Sequence, residues 1–413
     1  MSDLTSRVSD KILYLIISFL PFDKAHLLLR VSKYMKEILT NAKMQITNIN
    51  LVHKDIKPTH VKLLLHIISQ MPQLTTIDLY NNMRWYCNNE LATTLLHLPQ
   101  LTKLNLGVNR LKLSEKCVID AIGTLTKLTS LNLSQNNFGS DSGILLHNML
   151  LSLTQLNSLI LNGIHLDKFS FTSLIPALNK LSKLETLSIR SNWLDNALPT
   201  ALYNLSHLTN LDIAYTYGNS NITKPLAPVL GKMTKLKSLN LSGNPINSSR
   251  MSGLVPALYN LTLMEELSLA WTDIEIEGIS LLIPVLERMS KLTLLGLGIN
   301  NISPTGAKLL APVLLQLPQL KSLDLKRNTL TTDGALSLAP SLIMMTQLTF
   351  LNLEENQICP DGMDAIITAV LNMKKLQTLK INCNYVGKPE YTLAKKILHQ
   401  TMLKTALPAL KFT

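Results

Sequence analysis

Aromatic residues are scarce in this chain: phenylalanine, tryptophan and tyrosine together make up 5% of its 413 residues. Hydrophobic residues still make up 46%, and leucine recurs throughout. A chain of this length would ordinarily divide into two or three globular domains. The scarcity of large rings favours instead many small, similar layers over one core of interlocking aromatic side chains.

Cysteine is also rare, and Cys87, Cys117, Cys359 and Cys383 lie far apart. They lack the paired spacing of repeat-capping disulfides and the C-x-x-C spacing of a zinc site, so we expect no metal. Cys383 falls on a predicted strand and Cys359 just after one, where free thiols are ordinarily buried. This usage favours a reducing, cytoplasmic location. The N-x-S/T sequons weigh little against it, because they follow from abundant Asn, Ser and Thr.

Catalytic motifs are missing as well. The nine histidines show no H-E-x-x-H or other ligand spacing, and the chain contains neither a phosphate-binding loop nor a nucleophile elbow. Outside the repeats and the first 45 residues there remains only residues 390–413, which leaves no room for a catalytic domain. The sequence therefore predicts a protein that is not an enzyme and uses no cofactor.

A leucine pattern, L-x-x-L-x-L, recurs through most of the chain. Thirteen copies are present, the first of them weaker, and they start 28, 27, 27, 28, 28 and 24 residues apart and then 28 apart six times. Such a constant spacing indicates a repeat architecture. The copies begin at Ile46, Leu74, Leu101, Leu128, Leu156, Leu184, Leu208, Leu236, Met264, Leu292, Leu320, Leu348 and Leu376.

Each copy predicts a short strand in a parallel sheet, followed by a segment that returns as a helix. Nine copies place an asparagine three positions after the third apolar residue, which we call the ladder position. An asparagine amide can bond the turn of its own copy and that of the neighbouring copy. Prolines recur in the return segments and favour bent helices. The ladder asparagines are Asn82, Asn109, Asn136, Asn192, Asn244, Asn300, Asn328, Asn356 and Asn384.

A uniform 28-residue repeat with this consensus resembles the ribonuclease-inhibitor class of leucine-rich repeats over residues 46–389. The resemblance implies an α/β solenoid, shaped like a horseshoe, with a parallel sheet on its concave face and helices outside. It says little about function, because a solenoid is a frame on which a surface is displayed. Residues 390–413 are predicted to form a capping helix and a short tail.

Residues 1–45 do not follow the repeat, and their apolar spacing resembles the F-box, a small all-α module. In that family the apolar face binds a Skp1-type adaptor of a cullin ubiquitin ligase, and the repeats that follow select the substrate. The sequence departs from the family pattern at five positions, where Ser9, Lys11, Lys24, Ala25 and Met35 replace the family's proline, glutamate, aspartate, leucine and tryptophan. The positions that the resemblance assigns to adaptor binding are Ile12, Leu13, Ile16, Leu20, Pro21, Leu28, Val31 and Met35.

Two other interpretations of this segment remain open. It could be a signal-peptide core, but Asp3 and Asp10 precede it and no small-residue cleavage site follows. The apolar run is also too short to span a bilayer, so we expect no membrane association. It could instead be a cap over the open edge of the first repeat, which every solenoid needs.

The function implied by these resemblances is a cytoplasmic, non-catalytic adaptor that brings a client protein to a ubiquitin ligase. The alternative is a stand-alone binding or inhibitor scaffold with no link to ubiquitin. The eroded F-box and the regular repeats also resemble effectors that intracellular bacteria deliver into eukaryotic hosts. Such an origin would place the protein in the host cytosol.

The net charge of +12 raises the question of nucleic acid. One lysine precedes the first apolar residue in five repeats, which predicts a column along one edge that could attract an acidic protein or a phosphate backbone. The same column also fits a repeated solvated position. No aromatic residues interleave with the lysines as single-strand binding would require, so we expect an acidic client protein instead of nucleic acid. The lysines are Lys127, Lys183, Lys235, Lys291 and Lys375.

The outward strand positions carry mostly small polar residues, such as Ser130 and Asn132, and aromatic residues stand out among them. Tyr215 and Trp271 occupy the same position two repeats apart, with Gly243 between them. Because parallel strands lie about 4.8 Å apart, we expect the two rings to lie about 10 Å apart. Exposed aromatic and arginine side chains commonly anchor interfaces. The predicted client-binding residues are Arg190, Tyr215, Trp271, Trp193 and Tyr217.

The same region breaks the repeat pattern. Ile164, Thr216 and Thr272 replace the ladder asparagine, and the repeat of 24 residues starts at Leu184. Local departures from a strong pattern often mark functional sites. A second candidate is a charged group that is expected to pair internally. Its members are Lys326, Arg327, Glu354 and Glu355.

Overall fold

The structure is a computed structural model in which the chain divides into two compact units, Met1–Leu205 and Ser206–Thr413. The F-box-like segment, residues 1–45, lies outside the described residues, so its fold stays a prediction. The described residues are 47–54, 56, 58–82, 88–111, 116–138, 142–194, 197–216, 223–384 and 389–412.

The described part of the first unit alternates three-residue strands with helices. Within this unit consecutive strands pair in parallel, as in the register Ser130↔Ser158, and the strand order follows the sequence. The strands are β1 (Asn48–Asn50), β2 (Thr76–Asp78), β3 (Lys103–Asn105), β4 (Ser130–Asn132), β5 (Ser158–Ile160) and β6 (Thr186–Ser188). The helices are α1 (Pro58–Ser69), α2 (Asn88–Leu96), α3 (Lys116–Gly123), α4 (Ser142–Ser152), α5 (Lys168–Leu178) and α6 (Ala197–Leu202).

None of the helices in the described ranges is long and apolar enough to cross a membrane.

The second unit repeats this arrangement, so the α/β leucine-rich repeat architecture is confirmed in both units. The strands are β7 (Asn210–Asp212), β8 (Ser238–Asn240), β9 (Glu266–Ser268), β10 (Leu294–Gly296), β11 (Ser322–Asp324), β12 (Phe350–Asn352), β13 (Thr378–Lys380) and β14 (Lys411–Phe412). The helices are α7 (Thr223–Leu230), α8 (Ser248–Leu258), α9 (Glu275–Leu286), α10 (Ser303–Leu314), α11 (Thr331–Met344), α12 (Pro360–Val370) and α13 (Pro389–Ala406).

The core of each unit is a layer of leucine between the strands and the helices. In β4 the central Leu131 is fully buried, while Ser130 and Asn132 are half-buried on the other face. In the second unit, helix α9 turns an equivalent apolar layer inward, because Ile279 and Leu282 lie three positions apart on its buried side. Within each unit the described repeats therefore bury equivalent apolar residues, as the leucine pattern predicts.

The ladder asparagines join consecutive repeats. The side-chain amide of Asn356 donates to the carbonyl of Leu353 in its own repeat at 3.0 Å and to that of Leu325 in the preceding repeat at 2.8 Å. Its Oδ1 accepts from the backbone N–H of Asn328 at 2.8 Å. Asn136 makes the equivalent amide bonds in the first unit. The predicted bonding of both turns by one amide is confirmed.

Threonine at the ladder position forms fewer hydrogen bonds with the backbone of the turns than asparagine does. The hydroxyl of Thr272 lies 2.7 Å from the carbonyl of Leu269 and 3.0 Å from Oδ1 of Asn300. A hydroxyl has one proton, whereas an amide has two, so threonine cannot donate to two repeats at once. The Thr216 hydroxyl has the same arrangement, with Ile213 and Asn244.

In a second array, the Asn or Asp side chain at the end of a strand accepts a hydrogen bond from the backbone two residues further on. Oδ1 of Asn132 accepts from the backbone N–H of Ser134 at 2.9 Å, and Asn240 does the same for Ser242 at 3.1 Å. Asp324 accepts from the N–H of Lys326 at 2.9 Å. The sequence alone predicts these outward positions only as polar surface residues. Their side chains also stabilise the turn that follows the strand, because an Asn or Asp side chain can accept a hydrogen bond from a backbone N–H two residues on.

The C-terminal segment contains a strand that the leucine pattern did not predict. After α13, the predicted tail pairs in parallel with β13 in the register Thr378↔Lys411. The buried side chain of His399 on α13 joins that helix to α12, with Nε2 of His399 lying 2.5 Å from Oδ1 of Asp364. The last described helix and strand thus add one further layer to the second unit.

We expect Asn328→Ala to lower the free energy of unfolding by about 2 kcal/mol, because a buried N–H left without its acceptor costs about 1–3 kcal/mol. The N–H of Asn300 donates to Oδ1 of Asn328 at 2.9 Å, and alanine offers no replacement. Urea denaturation followed by far-UV circular dichroism measures the change. The matched control is Asn260→Ala, since Asn260 is exposed just after α8. Equal losses in the two variants would contradict the role of the ladder.

Candidate binding site

A column of residues with left-handed backbone runs through the second unit, one position before each ladder residue. Their φ angles lie between +51° and +68°, a region that residues other than glycine seldom adopt. The sharp turn after each strand requires this conformation whichever side chain is present. The column residues are Tyr215, Gly243, Trp271, Ile299, Arg327, Glu355 and Cys383.

Backbone hydrogen bonds hold the column in place. The N–H of Tyr215 donates to the carbonyl of Ser242 at 2.8 Å, and the N–H of Trp271 donates to that of Gly298 at 2.8 Å. Because the main chain makes these bonds, the column side chains are not needed for the turn. Seven different residue types therefore occupy seven equivalent positions, which is the arrangement expected of a variable surface on a constant frame.

Tyr215 and Trp271 form the aromatic part of the column. Their ring centroids lie 5.6 Å apart with an interplanar angle of 58°, so the prediction of a gap of about 10 Å is wrong. A Cβ on Gly243 would lie 2.2 Å from a ring carbon of Tyr215, which shows that the tyrosine ring occupies the space above this glycine. The ring leans across one repeat and contacts Trp271, whose side chain stays 49% exposed.

A groove of about 910 Å³ runs beside the column within the second unit. Its other wall comes from the residues two positions further on, which also have a left-handed backbone. The volume falls within the usual range of ligand sites, about 300–1,000 Å³. The lining residues are Tyr215, Trp271, Asp273, Ile299, Asn301, Arg327, Thr329, Glu355, Gln357 and Cys383.

A charged cluster of Lys326, Arg327, Glu354 and Glu355 reaches the groove through two of its members, Arg327 and Glu355. Nζ of Lys326 lies 2.8 Å from Oε1 of Glu355 and 3.4 Å from Glu354, and Nε of Arg327 lies 3.0 Å from Oε2 of Glu355. The expected internal pairing is confirmed. The hydrogen bond from Lys326 lowers the pKa of Glu355, and the same bond raises the pKa of Lys326. Two cations and two carboxylates balance one another, so this cluster leaves no net charge.

Asp324 lies beside this cluster at the end of β11. Burial raises the pKa of its carboxyl group, and the hydrogen bond from the N–H of Lys326 opposes that effect without cancelling it. The carboxylate serves the same structural purpose as the asparagines of the strand-end array. Its charge is therefore not needed for the bond that it makes.

The structure brings together two of the five predicted client-binding residues, Tyr215 and Trp271. Arg190 and Trp193 belong to the first unit, where Arg190 is half-buried and Trp193 is 67% exposed. Tyr217 lies outside the described residues, as do all eight predicted adaptor-binding residues. The sequence did not single out Asp273, Ile299, Asn301, Thr329 or Gln357. Their spacing in the sequence could have identified them, because Ile299 lies one position before a ladder residue and the other four each lie one position after one.

The expectation that Cys383 is buried is wrong. The thiol is exposed, because β13 is three residues long and ends at Lys380. Residue 383 therefore falls in the left-handed turn, with φ of +59°, and lines the groove. Cys359 is half-buried and precedes the first turn of α12.

The lysine column lies at the opposite end of the strands, just before each one. All five lysines are exposed, and three of them reach a glutamine in the preceding repeat. Nζ of Lys127 donates to Gln100 at 2.6 Å, and the bonds from Lys183 and Lys375 measure 2.5 Å. The column is thus a hydrogen-bonded, solvated edge.

Comparison with known proteins identifies leucine-rich repeats. The family model described as "Leucine Rich repeat" matches residues 124–146, 232–249 and 316–339. A Dictyostelium discoideum protein named probable serine/threonine-protein kinase pats1 is 32% identical over 145 residues, which are 35% of this chain and 4% of that protein. The chain spans a small fraction of that relative. The family model thus identifies leucine-rich repeats in three segments of the chain, and the described strands and helices continue the same alternation beyond those segments.

Two solved structures are similar to this chain. One is an internalin of Listeria monocytogenes, with 19% identity, a TM-score of 0.45, and coverage of 79% of this chain and 88% of that chain. The other is a leucine-rich repeat protein of Leptospira interrogans, with 17% identity, a TM-score of 0.41, and coverage of 92% and 97%.

We expect Gly243→Ala to displace the Tyr215 ring and separate it from Trp271, because the new Cβ would overlap the ring. A left-handed backbone also costs alanine about 1–2 kcal/mol, so the free energy of unfolding should fall by at least that much. Near-UV circular dichroism and urea denaturation measure the two effects. Gly253→Ala is the control, since no atom lies within 4 Å of its Cβ position. Unchanged aromatic signals in Gly243→Ala would contradict the contact.

We expect Asp324→Asn to stabilise the fold at neutral pH. Burial raises the pKa of Asp324 in the folded state. The protonated carboxyl group therefore adds to the free energy of unfolding below the unfolded pKa, and this contribution is lost as the pH rises through the folded pKa. Asparagine keeps the acceptor without the charge, so the difference from the wild type should shrink at acid pH. Urea midpoints at neutral and acid pH measure it. Asp120→Asn, on the exposed side of α3, should change neither midpoint.

Proposed function

We propose that this protein is a non-catalytic cytoplasmic adaptor. Its repeats hold a client protein, and residues 1–45 dock a Skp1-type subunit of a cullin ubiquitin ligase. The observation that carries the client half is the Tyr215–Trp271 pair at the groove of the second unit, in which Tyr215 is half-buried and Trp271 is exposed. The adaptor half rests on the F-box-like apolar spacing of the first 45 residues.

The groove supports a client protein for two reasons. Trp271 is half exposed although it contacts Tyr215, and large exposed aromatic side chains are frequent anchors of protein interfaces. The column around it is held by the main chain, so its side chains add little to the fold. Residues that the fold does not need, placed on a rigid frame, suit recognition better than stability.

The adaptor half depends on Ile12, Leu13, Ile16, Leu20 and Pro21, with Leu28, Val31 and Met35 completing the apolar set. The sequence departs from the F-box pattern at five positions, but most of the apolar positions of the pattern are kept. Delivery into a host cytosol by an intracellular bacterium would be compatible with the same two-part arrangement. If residues 1–45 are a cap, the protein is a stand-alone binding or inhibitor scaffold that uses the same groove.

The full-length protein should bind a purified Skp1-type adaptor, and Leu20→Asp should weaken that binding by at least about tenfold, since a charge would be buried in an apolar contact. Isothermal titration calorimetry measures the affinity. Leu315→Asp is the matched control, because Leu315 is 51% exposed after α10. Trp271→Ala should also bind normally, because the groove is assigned to the client.

Equal binding by Leu20→Asp and the wild type would contradict docking through this face. An absence of adaptor binding by the folded wild type would favour the scaffold alternative.

A further inference from the structure

We infer that the groove of the second unit recognises an extended peptide segment of the client through a basic side chain. This arginine or lysine lies against Trp271 and Tyr215 and pairs with Asp273. The inference rests on the proposed function in taking the partner to be a protein. It goes further by assigning the chemistry of the recognised segment and the residues that read it.

The aromatic pair supplies the first half of such a site. Tryptophan gives the strongest cation–π attraction, and a cation within about 6 Å of the ring centroid benefits from it. The protein already uses this interaction just after α8, where the Arg288 guanidinium lies 4.2 Å from the ring centroid of Tyr259. Among the described residues, no cation lies over the ring of Trp271. Its exposed half therefore remains open to a cation from outside.

Asp273 supplies the second half. It lies two residues after Trp271, is exposed, and lines the same groove. Among the described residues it forms no salt bridge. Glu275 and Glu277 follow it in the first turn of α9 and are exposed as well. A carboxylate beside an open aromatic face is complementary to a guanidinium or an ammonium group.

The charge at this end of the groove is opposite in sign to that of the whole chain. The chain carries +12, but Arg327, the one basic residue of the groove lining, is neutralised within the cluster of Lys326, Arg327, Glu354 and Glu355. Asp273 remains as the unbalanced charge of the lining. An acidic client, which the lysine column predicts, would be repelled here. The lysines face a different edge, so they do not decide what the groove binds.

The groove also has the length and the polar wall that an extended peptide needs. Six steps of about 4.8 Å separate Tyr215 from Cys383, so the column spans about 29 Å. About nine extended residues, at about 3.3 Å each, cover that distance. Asn301, Thr329 and Gln357 line the second wall. Their amides and hydroxyl can donate to and accept from a peptide backbone.

A random nonapeptide library selected on the immobilised full-length protein tests this inference. We expect the selected peptides to carry Arg or Lys at one fixed position. Replacing that residue by alanine in a synthetic selected peptide should weaken binding roughly tenfold. Trp271→Ala and Asp273→Asn should each cause a similar loss, measured by fluorescence anisotropy. Asp120→Asn removes an exposed carboxylate of α3 and should leave the affinity unchanged.

Charge reversal gives the sharper result. Selection on Asp273→Lys should replace the basic residue by Asp or Glu at the same peptide position. Groove-dependent peptides without a basic preference would overturn the inference and leave the proposed client binding intact. A library with no peptide sensitive to Trp271→Ala would overturn the inference as well. In that case the adaptor titration with Leu20→Asp would still test the proposed function by itself.

Discussion

The side-chain amide of the ladder asparagine is the interaction on which the rest of the structure depends. Asn356 bonds carbonyls in two repeats and accepts a backbone N–H from one of them, so each turn is defined by its neighbour. A buried turn without those bonds would leave backbone groups unpaired. This requirement holds the repeat length at 28 residues through most of the second unit and places a left-handed residue one step before each ladder residue.

Because of this constraint, the fold depends on the ladder side chains and the backbone, whereas the side chains of the column residues are available for contact with a partner. The column residues keep their backbone bonds whatever their side chains are, so an aromatic pair, an isoleucine, an ion pair and a cysteine can follow one another. Gly243 has a particular role, since only the absence of a Cβ lets the Tyr215 ring reach Trp271. The threonines at 216 and 272, next to the two rings, donate one hydrogen bond where asparagine donates two, so the ladder is weakened beside the aromatic pair.

Most of the fold could be predicted because its determinants recur at fixed spacing. The strands, the ladder bonds and the pairing of Lys326 with Glu354 and Glu355 all follow from residues one repeat apart. The errors concern side chains whose environment no periodicity encodes. The Tyr215 ring was placed by strand spacing alone, and Cys383 was assigned to a strand that ends three residues earlier. Strand β14 was missed because its two residues carry no leucine pattern.

The sequence by itself determined the repeat, its strands and turns, and the positions from which a variable surface projects. It could do so because each of these depends on a local pattern of apolar residues and on one amide per turn. Only the tertiary structure decided which of those positions form a groove, how far the rings of Tyr215 and Trp271 stand apart, and that Asp273 is left as its unbalanced charge. Ring direction, exposure and charge balance depend on side chains 28 or 56 residues away, and these meet only when the repeats stack.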